Sequence, residues 1–472
     1  MFDPVIAPSG TLLGLLQRGR GDGTLHALAA PRAEALAALN HCVLHDPRQD
    51  WQVENRSLYY ARLYLDLHGG LGEIEAHLFG VEDHLDTEES RTGLALAVLG
   101  HLAAYGREDA LALLRRYAAT GTNWSWALDE LALRDDDSGL RALAAPILAR
   151  FPATPEGDAE LAAAVRDAFE PRPWRLWADD RREAIGSRVR AAGEQGSFDR
   201  WQRQLRPTGP RPGWSVRAVF EWAQEGLERG SALHVPAARC LTAVAGPDDR
   251  PLIVEAARGG PDGARCAALH YLAEARDPVV LDLIEAAAAD DSRVVAEAAV
   301  AAFERMCGDE AVDRARGWVH RPDPLGVSAA GVLACRGDAR DAPLVLGALR
   351  EAVRSDGPDA QALHALVDGA GRLGVACAAP VLRHIYRETA SSHLRGRTAR
   401  ALAATDPSFP NGFAVECLWD CEETTREIAA LHAETGDVRV AERLRRLAAD
   451  PAEEDEVQTA VRSRIGPDLP KV

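Results

Sequence analysis

Residues 262–292 read DGARCAALHYLAEARDPVVLDLIEAAAADDS, which is two apolar helical segments with a break between them. In the first segment Cys266, Leu269 and Leu272 recur every three residues, which places them near one face of a helix. Pro278 then stands where a second helix would start, because proline is favoured in the first turn of a helix. The stretch therefore predicts two helices joined by a short turn.

A unit of about thirty residues repeats this scheme through the second half of the chain. The large apolar residues that close each first helix fall into register, at spacings of 31, 31, 30, 33, 36 and 29 residues: Leu241, Leu272, Phe303, Leu333, Leu366, Leu402 and Leu431. A weaker version occurs near the N-terminus, at Leu65, Leu99 and Leu131. Such self-similarity marks an array in which each unit covers its neighbour's apolar face. We predict an all-α fold, an α-solenoid of stacked antiparallel helix pairs with an irregular central insert.

Residues 291–299, DSRVVAEAA, resemble the start of a HEAT repeat, in the short form also seen in phycobilisome-lyase-type arrays. That family has an Asp before the first helix, then Val-Arg and an Ala-Ala-Leu stripe. Here the Arg precedes Val294, and the family's Gly-Asp turn is kept only in some units, as at Gly337-Asp338. The resemblance implies a helical-repeat protein and, in the lyase-type arrays, one that acts on a chromophore or a partner protein.

Changes in composition along the chain predict five segments. They are an N-terminal leader or cap (1–23), HEAT-like helical repeats (24–151), an irregular Trp/Arg-rich insert or junction (152–230), further HEAT-like repeats (231–450), and an acidic cap and tail (451–472). Within the insert, Pro207, Pro210 and Pro212 predict an exposed loop, because proline interrupts helices.

The insert is also where the composition changes most. It holds half of the ten tryptophans, and residues 171–217 contain eleven arginines against five acidic residues, in a chain of net charge −18. Trp and Arg dominate binding hot spots, since they offer large buried area and forked donors. The alternative is that these tryptophans fill a junction and the arginines pair with acidic helices. The candidate partner-binding residues are Trp174, Arg175, Trp177, Arg181, Arg182, Arg188, Trp201 and Arg203.

A second candidate is the stretch TNWSWALDE at residues 122–130. It resembles the Trp-containing helix of alkylpurine DNA glycosylases, which are themselves built from HEAT-like repeats. In that family a Trp and an Asp four residues apart flank the extruded nucleotide, and the Asp stabilises positive charge on the sugar. Here Trp124 and Asp129 are five residues apart. The same letters also fit a helix capped by Asn123, with Trp124 buried.

No motif predicts a metal, a cofactor or a catalytic residue. His41 and His45 are four residues apart, as are Cys417 and Cys421, but neither pair has the further ligands of a zinc-site pattern. The sequence also lacks a P-loop and a nucleophile elbow. We expect the cysteines of successive repeats to be buried free thiols: Cys240, Cys266, Cys307, Cys335 and Cys377.

The balance of charge bears on function. A net charge of −18 disfavours a general binder of nucleic acid or of anionic membranes, and it is compatible with a basic protein partner. The N-terminus lacks the pattern of a signal peptide, and no run approaches the roughly 20 apolar residues that span a bilayer, so we expect a cytoplasmic protein. The preferred function is a non-catalytic scaffold or adaptor for protein–protein interaction. A HEAT-like DNA glycosylase or nucleic-acid binder, and a lyase-type HEAT protein, remain open alternatives.

Overall fold

The structure is a computed structural model of the 472-residue chain, and it describes residues 6–48, 52, 54–85, 91–204 and 213–465. Within these ranges every regular element is a helix and no strand occurs. The chain divides into two compact units. Unit 1 comprises residues 1–206, 388–399 and 408–472, and unit 2 comprises residues 207–387 and 400–407.

The N-terminal part of unit 1 is a run of α-helices. These are α1 (Leu12–Gln17), α2 (Gly21–Ala29), α3 (Arg32–Leu44), α4 (Ser57–Asp66), α5 (Gly72–Leu78), α6 (Gly93–Ala104), α7 (Glu108–Thr120), α8 (Trp124–Arg134), α9 (Asp137–Leu148), α10 (Pro155–Asp167), α11 (Arg172–Ala178) and α12 (Glu183–Gln204).

Unit 2 continues the same pattern, and the chain then returns to unit 1. The helices of unit 2 are α13 (Val216–Glu228), α14 (His234–Val244), α15 (Arg250–Gly259), α16 (Asp262–Glu274), α17 (Val280–Ala288), α18 (Arg293–Arg305), α19 (Asp309–Trp318), α20 (Pro324–Arg336), α21 (Ala342–Asp356), α22 (Leu363–Arg372) and α23 (Ala379–Glu388). Helix α24 (Ser392–Thr405) is divided between the units after Ala399, and α25 (Phe413–Cys417), α26 (Glu423–His432), α27 (Val438–Ala449) and α28 (Asp455–Ile465) belong to unit 1.

The helices of unit 2 pack as a stacked array of pairs. Successive helices joined by turns contact each other, as α17 and α18 or α19 and α20 do. Alternate helices also contact, so that α16, α18, α20 and α22 form one continuous row. Each of these helices buries a stripe of alanine and larger apolar residues against its neighbours, which stabilises the row through many small contacts. The predicted α-solenoid of helix pairs is confirmed.

The register of the predicted repeat is correct in six of its seven C-terminal positions. Leu241, Leu272, Phe303, Leu333, Leu366 and Leu402 are buried, with exposed fractions of 2% or less. Leu431 is the exception, because 39% of its side chain is exposed. In α26 the buried residues include Ile428, Ala429 and Ala430, so aligning by side-chain size chose a residue one step past the buried face.

The central segment 152–230 is helical in most of its described residues. It holds α10, α11, α12 and α13, of which α10 and α13 have 13 residues, as α16 does, whereas α11 has 7 and α12 has 22. The first 23 residues likewise include α1 and the start of α2. Pro207, Pro210 and Pro212 lie outside the described residues.

The expectation of buried thiols is wrong for three cysteines. Cys266 is buried, Cys240 is partly buried, and Cys307, Cys335 and Cys377 are exposed. The three exposed residues lie at or beyond helix ends, where the chain turns away from the core.

Unit 1 brings the two ends of the sequence together, which no motif predicted. The backbone N–H of Cys421 donates to the carbonyl oxygen of Gly19 at 2.9 Å, and Arg20 pairs with Glu416 at 3.1 Å. Gly19 has φ +68°, and a Cβ at this position would collide with the sulfur of Cys421. Glycine is therefore required here both by the backbone conformation and by the close approach.

In the described ranges, no helix is both long enough and apolar enough to cross a membrane.

Candidate functional site

The two candidate regions of the sequence meet in one aromatic cluster in unit 1. The ring of Trp124, at the start of α8, lies 5.8 Å from that of Phe151 and 6.3 Å from that of Trp174, both edge to face. Trp174 lies 4.9 Å from Trp177 on α11 in the same arrangement. We call these four residues the tryptophan cluster. Edge-to-face pairs at such distances add to the stabilisation from burial alone.

Local sequence explains how the cluster forms. Prolines in the first turn start α11, and this short helix carries both of its tryptophans inward, with Trp174 5% exposed and Trp177 fully buried. The indole N–H of Trp177 donates to the carbonyl oxygen of Leu140 at 2.8 Å, so its polar atom is satisfied. Trp174 and Trp177 therefore pack the core of unit 1 and do not present their rings to solvent.

Asn123 occupies the N-cap position of α8, as expected, but it forms no side-chain cap hydrogen bond. Instead, its amide donates to the Thr92 hydroxyl at 2.8 Å. The guanidinium of Arg150 lies 5.7 Å from the centre of the Trp124 ring. Trp124 is thus enclosed by Arg150, Phe151 and Trp174.

Two of the candidate arginines tie neighbouring helices together. Arg182 donates to both carboxylate oxygens of Asp180, and these hydrogen bonds lower the pKa of Asp180 to about 2. Arg188 donates to Asp158 at 2.9 Å and to the carbonyl oxygen of Pro152 at 2.8 Å. Both contacts lie within unit 1, where they fix the start of α12 against its neighbours.

Arg175 and Arg181 differ from these two. Both side chains are exposed, and neither guanidinium group forms a hydrogen bond or ion pair with the part of the chain that the structure describes. Their guanidinium groups are available to a partner. Trp201 and Arg203 lie outside the residues whose side chains are described.

Two adjacent carboxyl groups of α8 have raised pKa values. Burial raises the pKa of Asp129 to about 6, although its Oδ1 accepts the backbone N–H of Glu170 at 3.0 Å. Burial also raises the pKa of Glu130 to about 7, against the opposing effect of the Arg134 guanidinium at 2.8 Å. Perturbed carboxyls of this kind occur at functional sites and also in structural networks.

An exposed apolar surface next to these groups was missed by sequence reasoning. Phe169, in the turn between α10 and α11, is 82% exposed, and Leu133 on α8 is 60% exposed. They are neighbours because the residue after Phe169 hydrogen-bonds Asp129, which lies one helical turn before Leu133. We use the name Phe169 surface for Leu133 and Phe169 together with Arg175 and Arg181, the exposed arginines in α11 and just after it. An apolar residue in a charged turn, just before a proline-started helix, was the signal that could have found it.

Hydrogen bonds and an ion pair of Arg172 fix the turn that carries Phe169. Arg172 donates to the carbonyl oxygens of Ala132 at 2.7 Å and Asp135 at 3.0 Å, and it pairs with Asp137 at 2.6 Å. These bonds join the start of α11 to the C-terminal end of α8. These hydrogen bonds and the packed tryptophans of α8 and α11 therefore hold the backbone next to Phe169 in place.

Trp124 and Asp129, the pair that resembles the glycosylase motif, both contact other residues of unit 1. Trp124 packs edge to face within the tryptophan cluster, and Asp129 Oδ1 accepts a backbone hydrogen bond. In that family the corresponding side chains flank a nucleotide, whereas these two contact their own chain. Among the described residues, no group of three or more His, Cys, Asp or Glu side chains is arranged to hold a metal ion.

Unit 2 has an open groove of about 850 Å³ between α13, α15 and the start of α16. Its floor is apolar, with Phe220 and Leu252, and its rim carries charges of both signs, among them Arg217, Glu255 and Arg258. The polar groups that line this groove do not converge on one point, so its lining does not indicate a ligand class.

Comparison with known proteins identifies no family for this chain. No protein family's sequence profile matches the chain, and no curated protein matches it. Among solved structures, the complex of CpcE and CpcF of phycocyanin lyase from Nostoc sp. PCC7120 matches with 19% identity and a TM-score of 0.30. The match covers 45% of this chain and 85% of that chain. Over part of its length the chain is similar to one chain of that lyase complex.

Proposed function

We propose that this protein is a non-catalytic helical-repeat scaffold that binds a protein partner at the Phe169 surface. The observation that carries the proposal is the exposure of Phe169 and Leu133 on adjoining elements, at 82% and 60%. Large apolar side chains that protrude together from a rigid base are typical of a binding hot spot.

The energy available at this surface is sufficient for a specific contact. Burying one Phe or Leu side chain contributes roughly 1.5–3 kcal/mol, which corresponds to about 10- to 100-fold in affinity. The hydrogen bonds of Arg172 already fix the turn of Phe169 in the unbound protein. This turn would then lose little conformational entropy when the partner binds.

The charges around the surface define the partner's chemistry. Arg175 and Arg181 are exposed guanidinium groups, and guanidinium groups bind carboxylates with two parallel hydrogen bonds. The complementary partner presents an apolar side chain flanked by Asp or Glu. Nucleic acid is disfavoured, because its charge extends far beyond two arginines and would meet the rest of a chain of net charge −18.

Affinity capture from the native host, followed by a binding measurement with the partner identified there, tests the proposal. We expect Phe169→Ala, and separately the pair Arg175→Ala and Arg181→Ala, to weaken binding by at least tenfold. Val438→Ala is the matched control, because Val438 is 80% exposed elsewhere in unit 1. Circular dichroism should show all variants folded.

Two outcomes would refute the proposal. One is a partner that binds wild type and Phe169→Ala equally. The other is tight binding of duplex or single-stranded DNA at about 50 mM salt, abolished by the arginine variants, because that behaviour belongs to a nucleic-acid binder.

A further inference from the structure

We propose that the Phe169 surface binds a second copy of this chain, at an acidic groove between α26 and α28. We call it the Leu431 groove. The inference rests on the proposed partner-binding role of the Phe169 surface, and it names a partner for that role. Two helices of unit 1 line the groove: α26 contributes Glu427 and Leu431, and α28 contributes Asp455, Glu456, Ala460 and Ser463.

The exposed side chain of Leu431 gives the groove an apolar floor. The residues in the same register of the six preceding repeats are buried, whereas 39% of the Leu431 side chain is exposed. The groove around it has a volume of about 350 Å³, comparable with the smallest ligand pockets of roughly 300 Å³. It has room for one protruding aromatic side chain, which would cover Leu431.

The carboxylates of the groove are unpaired. The side chains of Glu427, Asp455 and Glu456 form no hydrogen bond or ion pair with the described residues of the chain. The two arginines of the Phe169 surface are exposed and unpaired in the same sense. Guanidinium groups bind carboxylates through paired hydrogen bonds, so the groove is complementary in charge to the Phe169 surface.

Hydrogen bonds of Arg464 fix the two helices that form the groove. Its guanidinium group donates to the carbonyl oxygens of Ala430 at 3.2 Å and Ala433 at 2.9 Å, and also to that of Leu431. These bonds join the end of α28 to the end of α26. Both walls of the groove are therefore in place before a second chain binds, which lowers the entropic cost of association.

A second copy of the chain fits the chemistry of the Phe169 surface. That surface suits an apolar side chain flanked by Asp or Glu, and Leu431 with its carboxylates is such a set. Phe169 is 82% exposed, so Leu431 of its own chain does not cover it. The contact then forms between chains, and a twofold-symmetric pair of chains would make it twice, which adds affinity to a small interface.

Sedimentation velocity of the full-length protein over a range of concentrations tests this inference. We expect reversible self-association with a dissociation constant on the order of 10 μM, because small interfaces bind weakly. Added salt should weaken the association, since exposed charges are screened. Phe169→Ala and Leu431→Ala should each weaken it at least tenfold, while circular dichroism shows both variants folded.

Charge reversal identifies the two surfaces. The pair Arg175→Glu and Arg181→Glu should be monomeric, and so should the pair Glu427→Arg and Glu456→Arg, because like charges then face each other. A mixture of these two proteins should associate again. In the mixture every acidic Phe169 surface can meet a basic groove, and every basic Phe169 surface can meet an acidic groove.

The matched control is the pair Arg217→Glu and Arg239→Glu, which should associate as wild type does. Both are exposed arginines of unit 2, and their side chains form no hydrogen bond or ion pair within the described ranges. The inference is overturned if wild type stays monomeric at every concentration, or if the mixed charge-reversed proteins do. A monomeric wild type with a different captured protein that requires Phe169 would refute self-association and leave the proposed function standing.

Discussion

The carboxyl group of Glu130 shows how burial affects single residues in this chain. Burial raises its pKa to about 7, so between pH 4.5 and 7 the folded chain holds this proton more tightly than the unfolded chain does. Folding is then favoured by protonation, and this group's contribution to stability is lost as the pH rises through that window.

Replacing Glu130 with Gln removes this dependence. We expect Glu130→Gln to lose less stability than wild type between pH 5 and pH 8, by about 2 kcal/mol, because the amide does not titrate. Urea unfolding at the two pH values measures the difference. Equal losses in both proteins would show that the carboxyl is not desolvated.

The pKa shift of His270 in unit 2 makes stability depend on pH in the opposite direction. Its side chain is 2% exposed and stacks on His234 at 5.2 Å, and burial lowers its pKa to about 4. Between pH 6.5 and 4 the unfolded chain therefore binds the extra proton, and stability falls as the pH falls. Neither ring nitrogen of His270 makes a hydrogen bond within the described chain, so a proton there would create a buried charge without a partner.

We expect His270→Phe to reduce this loss of stability at acidic pH. The variant keeps the stacked ring but cannot titrate, so its urea midpoint should change less than that of wild type between pH 7 and pH 5. His320→Gln, at an exposed histidine, serves as the control. A midpoint that falls as steeply in His270→Phe as in wild type would contradict the assignment.

The cysteines make a residue-level test of burial. Cys307, Cys335 and Cys377 should react with iodoacetamide in the native protein, whereas Cys42, Cys266 and Cys417 should react only after unfolding. Cys42 combines burial with a pKa raised to about 12, so its thiolate is scarce as well as inaccessible. Mass spectrometry of peptides after timed labelling checks the order, and early labelling of Cys42 would contradict the structure.

At the scale of helices, an arginine–carboxylate pair recurs through the repeats. The fourth residue of α16, α24 and α26 is an arginine, and each pairs with an acidic residue just before the next helix of its row. The pairs are Arg265–Asp290, Arg395–Asp420 and Arg426–Glu453. They join the start of one repeat to the start of the next, which explains why these positions tolerate buried charge.

The Arg395–Asp420 pair is the most deeply buried of the three, with neither side chain exposed. We expect Arg395→Met to destabilise unit 1 by about 3–5 kcal/mol, because it leaves the carboxylate of Asp420 buried without its cation. The double variant Arg395→Met, Asp420→Leu should recover much of that loss. Chemical unfolding of both variants measures the effect, and a double variant no more stable than the single one would contradict this explanation.

The helices of the repeats could be predicted from sequence, but the surroundings of the candidate site could not. Helix α16 was predicted because its alanines and leucines keep one helical phase over many residues. The long helix α12 was missed, since glycines and charges interrupt any apolar stripe. The burial of Trp177 and the exposure of Phe169 depend on how α8 and α11 pack, which composition does not encode.

For the molecule as a whole, unit 1 is built from both ends of the sequence. Arg62 on α4 pairs with Asp450 at 2.8 Å and Glu453 at 3.2 Å, and Tyr105 donates to Asp450. Repeat spacing could not predict these contacts, because a periodic pattern describes neighbours and carries no information on partners almost 400 residues away.

Removing residues 408–472 should therefore loosen the N-terminal helices. We expect amide hydrogens of α2 and α4 to exchange much faster in the truncated chain, because the partners of Gly19, Arg20 and Arg62 are gone. Helices α18 and α20 of unit 2 should keep their protection and serve as the internal control. Unchanged exchange in α2 would mean that the N-terminal helices are stable without this segment.

The contact between Arg20 and Glu416 also sets an order of events during synthesis. The two residues are 396 positions apart. A ribosome adding 5–20 residues per second needs roughly 20 to 80 s to cover that distance. Through that interval the contact face of the nascent α2 lacks its partner residues, and by the end of the interval every residue of unit 2 has been synthesised. In the cell, the part of the protein synthesised first is among the last to be completed.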